Sequence, residues 1–182
     1  MKDLSQHILD IANNSIRAGA TLIQISIAEE PEKDLYTLII EDNGRGIPKD
    51  KIEQVCDPFY TSRTTRKVGL GIPLLKLNAE RTGGWFSLTS EEGKGTTVKA
   101  VFKHKSVDRP AIGDISGTLS IVAATDPKID LVYIHTNQSN EYIFDSRTIK
   151  RELGDILLSN PKIMRFIDEM ISENLESINY TK

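Results

Sequence analysis

The chain has 182 residues, 38% apolar and 27% charged, with a net charge of −3 and a pI near 5.7. That mix is a soluble globular protein's, long enough for one domain plus a small appendage, and no long basic run offers itself to DNA or RNA. A lone cysteine, Cys56, excludes an internal disulfide, and no apolar run nears the roughly 20 residues that span a bilayer. The expectation is a cytoplasmic protein with no nucleic-acid or membrane partner.

The N-terminus enters a helix pattern directly, without the apolar core of a signal peptide. Residues 3–18 read as a helix, with Asp3 as its cap, Gln6 completing a capping box and Gly19 ending it. Residues 21–28 alternate apolar and polar, as a half-buried strand does, and 35–42 form a second, more apolar strand. Asn43-Gly44-Arg45-Gly46-Ile47-Pro48 is a turn with two glycines, followed by a short helix over 49–56 and a Thr-, Arg- and Lys-rich loop over 57–69. Leu70 to Arg81 reads as a helix, and 85–90 with 96–103 as a hairpin turned by Gly93-Lys94-Gly95. After a linker over 104–111, residues 114–125 lean to helix, 130–136 and 141–146 to a hairpin, and 147–153 and 161–178 to helices. The organisation expected is a first domain over 1–105 and a smaller α+β unit over 112–182.

At 100° per residue, Asp10, Asn14 and Arg17 line one face of the first helix, while Ile8, Ala12 and Ile16 line the other. Such a stripe is either a solvated face or one wall of a cleft. A carboxylate, a carboxamide and a guanidinium in one line suit a metal–phosphate site. The amide oxygen of Asn14 can ligate Mg²⁺, Arg17 can pair with phosphate, and Asp10 can orient water. Asp42 ends a buried strand, where its carboxylate can accept from an amino group such as adenine N6. Gly44 and Gly46 leave room for a flat ring, and Gly69-Leu70-Gly71 opens a helix whose N–H groups can face phosphate. Each glycine pair alone is no more than a tight turn.

Together the segments are specific. Asn14, Asp42-x-Gly44-x-Gly46, Asp57-Pro58-Phe59-Tyr60 and Gly69-x-Gly71, in that order, resemble the four ATP-binding boxes of the GHKL superfamily, shared by gyrase, MutL and histidine kinases. The resemblance covers residues 3 to about 103. Asn13-Asn14-Ser15-Ile16-Arg17-Ala18-Gly19-Ala20 is similar to the MutL version, whereas Asp57-Pro58-Phe59-Tyr60 and Gly69-Leu70-Gly71-Ile72 are similar to the histidine-kinase version.

The resemblance implies the Bergerat fold, a two-layer α/β sandwich with a mixed, mainly antiparallel sheet under helices, binding ATP with Mg²⁺. It implies that Asn14 holds the metal and that Asp42 binds the adenine amino group, with Thr96 assisting through water. Gly44, Gly46 and Ile47 would wall the base. Residues 57–69, Phe59 and Lys67 among them, would form a lid, and Gly69, Leu70 and Gly71 would meet the phosphates beside Arg17. Two features depart from the kinase pattern: Lys67 and Val68 stand where another glycine is usual, and Pro73 sits in the first turn of the following helix. The basic lid residues Arg63, Arg66 and Lys67 read equally as a phosphate clamp and as a solvated loop.

Asp10 stands where the hydrolytic branch of the superfamily carries a glutamate base and histidine kinases often carry asparagine. An aspartate is one methylene shorter than that base, so its role as general base stays open. A complete histidine kinase is not expected, because no phosphoacceptor module precedes the ATP-binding boxes. His7 reads as a surface or supporting group near the stripe; His104 and His135 lack a phosphoacceptor setting. Three functions follow: a regulatory kinase acting on a separate partner protein, a slow ATPase or nucleotide-driven switch that dimerises, and a non-catalytic ATP sensor. In the C-terminal unit, Ile163, Phe166, Ile167, Met170, Ile171 and Leu175 form a helical apolar stripe expected to pack on its own domain. Tyr133, Tyr142, Phe144 and Trp85 are expected to be packing residues.

Overall fold

The computed structural model describes residues 2–57, 70–138 and 140–178. The order is α1 (Leu4–Arg17), β1 (Leu22–Glu30), β2 (Leu35–Asp42), α2 (Lys49–Val55), α3 (Gly71–Arg81), β3 (Trp85–Glu91), β4 (Gly95–Lys103), α4 (Ile115–Thr125), β5 (Asp130–Asn137), β6 (Asn140–Asp145), α5 (Ser146–Leu153) and α6 (Pro161–Ser177). A short 3-10 turn over Pro31–Lys33 links β1 to β2. The elements expected from sequence are all present, with ends displaced by a residue or two.

Local chemistry accounts for the boundaries. Asp3 caps α1, its Oδ1 accepting from the Gln6 N–H at 3.0 Å. Gly19, at φ +77°, carries the chain out of that helix. Asp114 and Asn160 cap α4 and α6 in the same way, and Pro161 stands at the first position of α6.

The six strands form one sheet in the order β3-β4-β2-β1-β5-β6. Every pairing is antiparallel except β1 with β5, which is parallel from Leu22↔Asp130 to Glu29↔Asn137. The sheet is thus mixed and mainly antiparallel, under helices, as expected of an α/β sandwich. Residues 112–182, set apart by sequence as a smaller unit, supply β5 and β6 to this same sheet. Helix α4 packs on both α1 and α6. The linker is likewise tied down: Leu4 and Ser5 donate their N–H groups to the carbonyls of Ala111 and Ile112, both at 2.9 Å.

The core lies between the helices and one face of the sheet. Period-two alternation puts Ile23, Ile25 and Ile27 of β1 beside Tyr36, Leu38 and Ile40 of β2, all at most 1% exposed. Val98, Ala100 and Phe102 of β4 and Leu131 and Tyr133 of β5 extend that face, and Leu4, Ile8, Ile11 and Ala12 of α1 cover it. In α6, Ile167, Ile171 and Leu175 are buried as expected, but Phe166 is 55% exposed. Tyr133 and Phe144 are core residues and Tyr142 is half-buried against them, where burial pushes its phenol up to about 12. Trp85 departs from expectation. It starts the edge strand β3, has a strand neighbour on one side only, and is 48% exposed, with the Lys99 ammonium 5.0 Å from its ring centroid.

One buried charge interrupts the apolar face. Glu29, next in the alternation after Ile27, is 1% exposed. Its Oε1 lies 2.8 Å from His135 Nε2 and its Oε2 3.3 Å from His104 Nε2. The Tyr133 hydroxyl meets the other nitrogen of His135 at 2.7 Å. The network joins β1, β5 and the residue after β4, so the linker and the late strands are fastened to the early sheet at one point. Glu29→Ala leaves both imidazoles buried without that acceptor and should cost about 3–5 kcal/mol of unfolding free energy, measurable by urea denaturation. A loss below 1 kcal/mol would mean that the network is not a structural fastening.

Candidate functional site

The far end of β1 from Glu29 is built differently. There β2 ends at Asp42, and the Asn43 side chain ties the chain back to the start of β1: its Oδ1 accepts from the N–H groups of Thr21 and Leu22 at 2.8 and 2.9 Å. Asp42 is half-buried. Its Oδ1 accepts from the Gly44 N–H at 2.9 Å, and its Oδ2 from the Ser15 hydroxyl at 2.6 Å. Two donors fix the plane of the carboxylate, whose remaining lone pairs can accept further hydrogen bonds. Thr96 sits opposite Asp42 in the β2–β4 ladder and its hydroxyl contacts Ser90 Oγ at 2.9 Å. That serine also accepts from the Ile47 N–H at 2.8 Å. Thr96, on the strand position beside Asp42, is therefore joined to Ile47 through Ser90. A cleft of about 570 Å³ beside this turn is lined by Ile47, Pro48 and Val55 together with Arg45, Lys51 and Glu92.

Sequence reasoning passed over Ser15 as a site residue. The signal was present: Ile8, Ile11, Ala12 and Ser15 share the buried face of α1, and a hydroxyl on such a face needs a partner inside the protein.

The glycines are required by neighbours within the protein. A Cβ on Gly46, at φ +70°, would lie 2.1 Å from the Glu91 carbonyl oxygen. The β3–β4 turn thus packs directly on the glycine turn, and the Gly93 N–H donates to the Arg45 carbonyl at 2.8 Å. A Cβ on Gly71 would lie 2.1 Å from Asp10 Oδ2. Bare backbone at Gly71 is what lets α3 start against α1.

Along α1, Asp10 and Asn14 are half-buried and Arg17 is exposed in the last turn. The stripe expected from helical periodicity thus runs from the start of α3 to the edge of the molecule. Asp10 Oδ2 is buried with no hydrogen-bond partner among the described residues. An orphaned carboxylate oxygen is costly unless something else occupies the site. Helix α3, which Asp10 touches, starts at Leu70 and Gly71 without a side-chain cap or an acidic residue in its first turn. The first N–H groups of a helix have no acceptor within it and can meet an anion, although Pro73 has none to offer. Of the lid expected over 57–69, all but Asp57, with Phe59, Lys67 and Gly69 among them, lies outside the described residues.

Of the two readings open for His7, a surface group or a supporting one, the structure excludes the first. It is fully buried, its Nδ1 lying 3.0 Å from the Gly71 carbonyl oxygen and its Nε2 3.2 Å from Asn78 Nδ2. Leu4, His7, Ile8 and Ile11 share one side of α1, so His7 lies under the start of α3.

The first 106 residues match the family model for the histidine kinase-, DNA gyrase B- and HSP90-like ATPases. The chain belongs to this family. Its ATP-binding domain is similar to that of sensor kinases. These include the sensor kinase CckA of Brucella abortus (strain 2308), 35% identical over 113 residues that make up 62% of this chain and 11% of that protein. The sensor histidine kinase WalK of Bacillus subtilis (strain 168) is 33% identical over 111 residues, 56% of this chain and 18% of that one. The chain therefore spans only a small part of the curated relatives it matches. The fold is also that of a crystallised N-terminal domain of a DNA repair protein, at TM-score 0.55 and 18% identity, covering 79% of this chain and 52% of that one. The GHKL resemblance seen in the sequence is thereby established. Among the described residues no helix is long and apolar enough to cross a membrane.

Burial holds the His7 imidazole below its ordinary value of 6.5, against the hydrogen bond to the Gly71 carbonyl, which raises it. The unfolded chain then binds the His7 proton more readily than the folded one, so this residue's contribution falls on acidification below 6.5 and is complete above it. The stability of the parent relative to His7→Leu should drop as pH is lowered from about 7.5 to 5.5, as read by denaturant melts. A difference independent of pH would contradict this assignment.

Proposed function

We propose that this chain is a Mg-ATP-dependent regulatory kinase that transfers the γ-phosphoryl group to a hydroxyl on a separate partner protein. One observation carries the proposal: Asp10 Oδ2, buried and unpartnered among the described residues, lies against the uncapped start of α3 on the same helix face as Asn14. A carboxylate and a triphosphate share such a space only with cationic charge between them. Oxygen ligands from an amide and from phosphates suit Mg²⁺, with Asn14 holding it and Asp10 bonding its water shell. Bound there, the metal would offset the charge on the phosphates and orient them.

The chain's own residues have separate tasks. Asp42, oriented by Ser15 and Gly44, accepts from the adenine amino group, with Thr96 linked to it through water, and Gly44, Gly46 and Ile47 wall the base. The N–H groups of Leu70 and Gly71 meet phosphate oxygens, and Arg17 reaches the phosphates from the open end of the stripe. Phe59, Lys67 and Gly69 are assigned to nucleotide contact by the family resemblance alone. At Asp10, Oδ2 takes up the proton released by the attacking hydroxyl. Water could use the same carboxylate, so slow hydrolysis with a nucleotide-dependent change of shape or dimerisation is the second reading. A non-catalytic ATP sensor is the reading left if neither turnover is found. The similarity to sensor kinases supports phosphoryl transfer over hydrolysis.

Titration calorimetry with Mg-ATP and transfer of a radiolabelled γ-phosphate test this. Asp42→Asn removes an ionised acceptor and should weaken ATP binding by about 1.5–3 kcal/mol, or ~10- to 150-fold. Unchanged affinity would refute the adenine assignment. Asp10→Asn should spare binding and abolish turnover. Label on a co-purifying partner supports the kinase, phosphate released by the chain alone supports the ATPase, and tight binding without either supports the sensor. Turnover that survives Asp10→Asn would remove Asp10 from the chemistry.

A further inference from the structure

We infer that His7 is a positioning residue for the triphosphate: it orients and polarises the first peptide of α3, so that the phosphate increment of binding depends on its imidazole. The inference rests on the ATP-binding reading of the site and adds to it a residue that lines none of the nucleotide contacts described above.

The Gly71 carbonyl can only accept, so at 3.0 Å His7 Nδ1 must carry the proton. Nε2 is then an acceptor, which suits the Asn78 amide 3.2 Å away. Asn78 is two turns further along α3, so the ring is gripped twice by the helix whose start it holds. The Gly71 carbonyl belongs to the same peptide plane as the Ile72 N–H. A hydrogen bond donated to the oxygen fixes that plane and strengthens the N–H as a donor. The Ile72 N–H lies in the first turn of α3, which lacks a side-chain cap and faces the orphaned Asp10 Oδ2.

Two α1 side chains one turn apart thus hold Gly71. His7 takes its carbonyl, and Asp10 closes on its α carbon where a Cβ would collide. A glycine at a helix start has the greatest freedom to reorient its peptide. With Pro73 removing one first-turn donor, the remaining N–H groups carry more of the anion contact. A buried imidazole in this place is not needed for core packing, because a leucine would fill the volume. Its two nitrogens are what the arrangement uses.

The test compares Mg-ATP with adenosine, in competition against a fluorescent adenine nucleotide on the full chain. The parent should bind Mg-ATP more tightly than adenosine. His7→Leu keeps volume and removes both nitrogens. It should weaken Mg-ATP by about tenfold while adenosine changes by less than about twofold. His7→Asn returns an N–H donor near the Nδ1 position and should recover most of the loss, which a loosened fold would not do. If His7→Leu is not recovered folded, Asn78→Ala leaves the imidazole in place without its brace and should lower the ratio of the two affinities by about threefold. A ratio equal to the parent's in the folded variant overturns the inference while leaving ATP binding intact. A parent that binds neither ligand refutes the ATP reading and this inference with it.

Discussion

The Ser15–Asp42 hydrogen bond is the joint on which the site depends. It crosses from α1 to the end of β2 at 2.6 Å, and it fixes the rotation of the helix that also carries Asp10 and Asn14 on its neighbouring face. A helix on a sheet can slide or roll by a fraction of a turn at little cost in apolar area. A short bond to a carboxylate cannot follow such movement, because charge-assisted hydrogen bonds are strong only over a narrow range of geometry. Fixing α1 at Ser15 sets the distance between the metal-suited end of the helix and the strand end suited to adenine. At the other end of α1, the linker carbonyls of Ala111 and Ile112 bind the N–H groups of Leu4 and Ser5. The helix is pinned at both ends before any ligand arrives.

The close approaches at glycine extend that pinning. Gly46 sits under the Glu91 carbonyl and Gly71 against Asp10. In each case the missing Cβ lets two parts of the site touch. Sequence reasoning placed glycine in these turns correctly but attributed it to the approach of a ring or a phosphate. The contacts within the protein already demand it. A site assembled this way is largely preformed, and preformed dipoles bind and stabilise charge without a reorganisation cost at the moment of reaction.

How much was legible followed the range of the interaction. Helix α1, the β1–β2 and β3–β4 pairs and the glycine turns are written in local periodicity, and their residues appear where the pattern puts them. The Asp10–Asn14–Arg17 stripe was equally readable, since it needs only 100° per residue. The parallel pairing of β1 with β5 was not, because its partners are more than a hundred residues apart and no turn chemistry announces it. The Glu29 network failed to show for the same reason: His104 and His135 are distant in sequence, and a strand-end glutamate looks like any solvated residue. For His7 sequence left surface and supporting roles open, because a histidine flanking an apolar face can point either way. Only the position of α3 decides that it points inward. Trp85 was misplaced because sequence does not reveal which strand ends a sheet.

The two ends of β1 explain why the site lies where it does. Glu29 and Asp42 are both carboxylates on the helix side of the sheet, and the register pairs Glu29 with Tyr36 and Ile23 with Asp42. They are thus separated by about six residues of strand, or roughly 20 Å. Glu29 is sealed, its two oxygens taken by His135 and His104. A carboxylate so enclosed has no room for a ligand and serves only to fasten strands. Asp42 is held as firmly, by Ser15 and Gly44, yet it is only half-buried. The difference lies in what covers each end. The linker and β5 bring imidazoles over Glu29, whereas the glycine turn brings only the Gly44 backbone N–H to Asp42. By closing one end of the sheet with its later strands, the chain leaves the other end, with the half-buried Asp42, open for the nucleotide proposed above.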